Sequence, residues 1–144
     1  MSTPLKQKLR TAAAADANLG PLLGPSPFRW YNVQLLQGSA LPAVVVQIIS
    51  TIPKYGFTMR AQNPVENRVQ FTIWGGQGEQ GSATAYQVED ALKTFLDTFD
   101  AVGIPGLTLY PNQITLERDG FFIQTDTGIY QRLIDVMVWD NQTL

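Results

Sequence analysis

The sequence predicts an α+β fold: an antiparallel sheet with two helices packed on one face, joined by long loops. Three observations predict it. Apolar residues recur at helical spacing near the N-terminus and again across 82–100. The stretches 43–51, 68–74, 114–118 and 130–139 are β-branched or alternate apolar with polar residues. These strand-like stretches cluster in runs and do not alternate strictly with helices, which favours segregated over parallel layers.

Thr3 and Pro4 form a helix start, with a capping hydroxyl followed by Pro at the first helical position. Leu5, Leu9, Ala12 and Ala13 then share a face, and Gly20–Pro21 ends the segment, so a helix is predicted over about 3–18. Residues 20–42 carry four prolines and read as loop-rich, with a short strand within 28–34. Residues 43–51 read as a well-buried strand because they are β-branched and apolar. Pro53, Gly56 and Pro64 make 52–67 a long loop or an irregular hairpin. In 68–74, Val69, Phe71 and Ile73 alternate with Arg68, Gln70 and Thr72, the pattern of a half-exposed antiparallel strand.

Residues 75–81 read as a glycine-rich turn, with Ser82 as the cap of the next helix. Ala85, Val88, Leu92, Phe95, Leu96 and Phe99 give that helix an apolar face as far as Asp100. Its outer face is expected to be a solvated, acidic one, with Glu89, Asp90, Asp97 and Asp100 against Lys93. Residues 103–111 read as a loop and 114–118 as a strand. Asp119–Gly120 reads as a turn, 121–123 as renewed pairing, Asp126 to Gly128 as a second turn, and 130–139 as the last strand. One core and one domain over 1–144 are expected at this length.

The composition removes several chemistries. With no His and no Cys, the usual zinc sites, Ser-His-Asp or Cys-His catalysis, and disulfides are all impossible. A net charge of −2 with no basic stripe argues against a protein dedicated to the nucleic-acid backbone. No apolar run approaches the roughly 20 residues of a membrane-spanning helix, and no stretch of signal-peptide character follows Lys6, Lys8 and Arg10. The chain therefore reads as cytoplasmic in origin.

Five short motifs each have a plainer reading. Gly76, Gly78 and Gly81 fit G-x-G-x-x-G between a strand and a helix, where a dinucleotide fold would place it. However, the preceding strand alternates, Glu79 sits where phosphate should, and no acidic strand end follows, so a flexible connection is the better reading. Phe28-Arg29-Trp30-Tyr31 and the set Lys54, Tyr55, Phe57, Arg60 interleave cations with aromatics, as base-stacking surfaces do. Aromatics in such mixtures more often serve as core or interface anchors. Glu89 and Asp90 are adjacent on a helix and point apart, so no carboxylate pair converges for catalysis. Asn141-Gln142-Thr143 matches a glycosylation sequon by chance. No catalytic, cofactor or metal site is expected.

The layout resembles a known family. A short Leu/Ala-rich helix leads through a loop to Leu41–Pro42 and the buried strand 43–49. Then come Val69-Gln70-Phe71-Thr72-Ile73-Trp74, the helix with Ala85, Val88, Ala91 and Leu92, and Arg132-Leu133-Ile134-Asp135-Val136-Met137-Val138. Over about residues 3–140 this is similar to the tail terminator and tail completion proteins of long-tailed bacteriophages.

The resemblance implies a structural virion subunit that assembles into a six-membered ring, with no cofactor and no membrane partner. The ring would sit on the head-proximal end of the tail tube, end its polymerisation and join head-completion or connector proteins. DNA would pass through the lumen without specific binding, and the chain would reside in the host cytoplasm during assembly. Head-closure, adaptor and tube proteins of such particles are the nearest alternative. A nucleic-acid module and a nucleotide-dependent enzyme are the rivals of another class.

A ring is a closed heterologous assembly, so each subunit needs two unlike side surfaces. The positive first helix and the acidic 82–100 helix are open to two readings, pairing between subunits or within one. Residues 52–67 are too long for an ordinary connection, where about 4–6 residues is usual. They carry Lys54 and Arg60 against one acid, Glu66, and expose Ile52, Tyr55, Phe57 and Met59 if left free. The expectation is a docking arm with Lys54, Tyr55, Phe57 and Arg60 at its interface. The plainer reading is a hairpin folded on its own sheet.

Overall fold

The computed structural model describes residues 5–24, 28–32, 41–53, 64–99, 113–124 and 127–141. The fold is α+β, as expected. Among the described residues, five strands form one sheet in the order β1-β2-β3-β5-β4: β1 (Trp30–Asn32), β2 (Ala43–Pro53), β3 (Pro64–Gln77), β4 (Gln113–Gln124) and β5 (Thr127–Asn141). Every neighbouring pair is antiparallel except β1 and β2, which run parallel. Three described helices belong to the other layer: α1 (Leu5–Ala15), α2 (Leu19–Leu23) and α3 (Gly78–Thr98).

Strand alternation explains the two layers. On β3, Val69, Phe71 and Ile73 are fully buried, and they register against Val136, Ile134 and Arg132 of β5. Across β2 the same face presents Val44 and Val46. Leu5, Leu9 and Ala13 of α1, Leu19 and Leu23 of α2, and Ala85, Val88, Leu92, Phe95 and Leu96 of α3 close over it in one apolar cluster. Trp30 anchors the β1 side, stacked on Phe28 with ring centroids 6.0 Å apart and edge-on to Phe71 at 5.8 Å.

The structure corrects four boundaries. The predicted first helix is two. Asp16 interrupts it, because its Oδ1 accepts the amides of Asn18 at 2.9 Å and Leu19 at 3.0 Å, a local bond that competes with helix continuation. Gly20–Pro21 therefore lies in the first turn of α2, where Pro is tolerated. Residues 52–67 are not all loop: Ile52 pairs with Glu66 and Pro53 with Val65, so both strands run on to residues 53 and 64. The glycine-rich turn is absent. β3 continues to Gln77 past a bulge at Trp74/Gly76, and α3 starts at Gly78, four residues before the expected Ser82 cap. Asp119–Gly120 lies inside β4, paired with Arg132 and Gln131. The 15-residue β5 offers a continuous ladder there, and its pairing outweighs the local preference for a turn.

Candidate assembly surface

The interface residues expected from the sequence, Lys54, Tyr55, Phe57 and Arg60, lie outside the described residues, as does Asp100. Their stretch is anchored at the end of the β2–β3 ladder, at Pro53 and Pro64.

The first basic–aromatic stretch belongs to the core. Phe28 and Trp30 are buried. Arg29 donates Nε to the Pro42 carbonyl at 2.7 Å and Nη2 to that of Leu22 at 3.1 Å. Arg10 donates to the carbonyls of Trp30 and Phe28 and lies over the Phe28 ring. These cations hold the backbone between α2 and β2 in place, so no stacking platform for bases remains there. The G-x-G-x-x-G stretch also lacks its required setting. β3 is flanked on both sides by antiparallel partners, and β4 pairs antiparallel with β5, so among the described residues no parallel βαβ unit surrounds it.

The acidic face of α3 needs a correction. Asp90 and Asp97 are exposed, but Glu89 is only 2% exposed. Its Oε2 accepts Nε of Arg132 at 2.6 Å, and its Oε1 lies 2.9 Å from Nζ of Lys93. Lys93 also pairs with Glu117 of β4, and Nη2 of Arg132 comes within 3.9 Å of the same carboxylate. The Arg132 guanidinium lies 5.4 Å from the centre of the Tyr86 ring, whose hydroxyl accepts from Tyr130 at 3.2 Å.

Hydrogen bonding to Glu117 and then to Glu89 pushes the Lys93 ammonium above its ordinary value. The bond from Lys93 holds the Glu117 carboxyl below its own. Two cations face two carboxylates, so the cluster closes on itself. It ties α3 to the β4–β5 pair. Lys8 likewise pairs with the buried Asp140 at 2.7 Å, linking α1 to the end of β5. Of the two readings left open for these charges, pairing within one subunit holds for Lys8, Lys93 and Glu89.

Two open depressions flank the α1–α2 corner. One, of about 480 Å³, lies against α3 and includes Leu22, Gln87, Asp90 and Thr94. The other, of about 610 Å³, includes Asp16, Gly20 and Phe28. Each contains one titratable group among its described lining residues, so neither supplies an acid–base pair.

The sheet's other face is the distinctive surface. It carries Val45, Gln47 and Ile52 of β2, and Arg68, Gln70, Thr72 and Trp74 of β3. Leu133, Asp135, Met137 and Trp139 of β5 and Leu116 and Arg118 of β4 complete it. No described helix contributes to it, since the helical cluster takes only residues of the opposite face. Leu116 is 46% exposed and Ile52 47%. A solvent-facing side of an antiparallel sheet is normally polar. This one sets two Trp, a Met and several aliphatic residues among four charged ones, Glu66, Arg68, Arg118 and Asp135.

Compared with known proteins, the chain matches no protein-family model and no curated protein sequence.

Proposed function

We propose that this chain is a structural subunit of a phage-like particle. Six copies form a ring on the head-proximal end of the tail tube, end its polymerisation, and join the tail to a head-completion or connector protein. DNA passes through the lumen without specific recognition. The reading rests on the resemblance over about residues 3–140. The observation that carries it is the outer face of the sheet, where Trp74, Leu116, Leu133, Met137 and Trp139 lie among polar and charged residues and over which no described helix packs. A two-layer subunit with such a face is suited to burying it against other protein. The Glu89 cluster supports a structural over a catalytic role, because both Glu89 oxygens are engaged by cations.

The test is assembly of particles without this chain. The proposal expects tails of uncontrolled length that do not join heads. Normal tails attached to filled heads would overturn it.

A further inference from the structure

We propose that the leading half of β4, residues 113–118, is a gate strand. It opens and closes on β5 while the rest of the fold stays intact, and the Lys93–Glu117 pair is its clasp. This goes beyond the ring reading and does not depend on it.

The first argument is how little this half-strand buries. β4 is the last strand of the sheet, and β5 is its one strand neighbour among the described residues. Ile114, Thr115, Leu116, Glu117 and Arg118 are all exposed, and none of them joins the apolar cluster beneath the helices. The residues they face on β5 are the reverse: Ile134 and Val136 are fully buried within that cluster. Lifting residues 113–118 therefore uncovers little apolar surface, whereas lifting β5 or β3 would open the core. Local opening belongs to segments with few buried apolar contacts.

The second argument is the ladder. Ile114 registers against Val136 and Leu116 against Asp135, so Thr115 is the extra residue of a bulge. A bulge leaves that residue out of the pairing and disrupts the ladder beside it. The Thr115 hydroxyl donates to the Asp135 carbonyl at 3.3 Å, a long bond in place of a ladder bond.

The third argument is the clasp. Glu117 carries the half-strand's contact with the helical layer, through Lys93 and, at 3.9 Å, Nη2 of Arg132. Both cations are also held by the buried Glu89, so they keep their positions whether Glu117 is docked or not. Asp119 registers against Arg132 from the next part of β4. Lys93 and Glu117 are each 34% exposed, so salt weakens their pair. When the clasp releases, the backbone of β5 from Asp135 to Met137 is unpaired on this side and still paired with β3 on the other. Such an edge can accept a strand, and β4 governs its access.

Amide hydrogen exchange of the isolated full-length protein at neutral pH tests this. The slowest amides of 113–118 should exchange about tenfold or more faster than the slowest of 66–72 in β3, as expected of a unit that opens alone. Low concentrations of denaturant should accelerate 66–72 and leave 113–118 nearly unchanged, because local opening exposes little surface. Glu117→Gln should speed exchange in 113–118 about threefold, the weight of an exposed ion pair, and Asp97→Asn should not. High salt should speed 113–118 in the wild type and remove its difference from Glu117→Gln. Equal rates and equal denaturant response in 113–118 and 66–72 would overturn independent opening. Wild-type rates in Glu117→Gln, or no response of the wild type to salt, would overturn the clasp.

Discussion

Arg132 donates through Nε to Oε2 of Glu89 at 2.6 Å, joining β5 to α3 through side chains that are 17% and 3% exposed. Both residues stand on core-facing positions of their elements, Glu89 beside Val88 and Leu92, and Arg132 in line with Ile134 and Val136. Neither charge could occupy its position alone.

Glu89→Gln should therefore destabilise the protein. Breaking a fully buried pair costs about 3–5 kcal/mol. Arg132 and Lys93 retain some solvent, so about 2 kcal/mol is expected here. Chemical denaturation of the isolated chain measures it, with Asp97→Asn as a reference expected within about 0.5 kcal/mol of wild type. Equal stability of the two variants would contradict the cluster.

The same cluster sets a pH dependence. Glu117 is held below its ordinary value of 4.5, so its contribution is present above about that pH and lost as pH falls through the depressed value. Lys93 is raised above 10.5, so its contribution is complete below that value and lost as pH rises through the raised one. Between these limits the contribution is constant. Glu117 is 34% exposed, so the effect is small, about 1 kcal/mol or less. Melting curves of wild type and Glu117→Gln should run parallel from about pH 5 to 10 and converge in acid. A difference that grows in acid would have the wrong sign.

Gly20→Ala tests the α1–α2 corner. A Cβ at Gly20 would meet the Ala14 carbonyl oxygen at 2.9 Å, a backbone atom that cannot step aside cheaply. A loss of about 1–3 kcal/mol is expected, as for other overpacked sites. Asp16→Ala, which removes the acceptor for the amides of Asn18 and Leu19, should cost about 1 kcal/mol. Thermal unfolding of the two variants checks both, and a Gly20→Ala melting temperature equal to wild type would mean that the corner is not tight.

Tyr55→Ala with Phe57→Ala addresses the arm expected from the sequence. Interface aromatics often contribute about 2 kcal/mol or more each. The double variant should keep the wild-type melting temperature yet lose ring formation or tail attachment. Unchanged assembly, or global unfolding, would place these side chains elsewhere.

The sheet was legible wherever one face is buried and the other wet. Val69, Phe71 and Ile73 against Arg68, Gln70 and Thr72 placed β3, and helical spacing from Ala85 to Leu96 placed α3. Local signals misled where long-range pairing overrode them. Asp119–Gly120 is a good turn dipeptide, but β5 was there to pair with it. Asp16 broke a helix that its apolar spacing alone would have continued. The buried Glu89 was read as surface, although its position four after Ala85 and three before Leu92 sets it at the edge of the apolar stripe. A charge there, with Arg132 on the inward face of β5, was the available signal of a pair.

The most direct test is native mass measurement of the isolated protein together with imaging of the assembled particle. The account predicts a ring of identical copies, six in number, at the head-proximal end of the tail. A monomer in dilute solution alone is compatible with it, since docking onto the tube can template the ring by mass action. A monomer in both settings would contradict it.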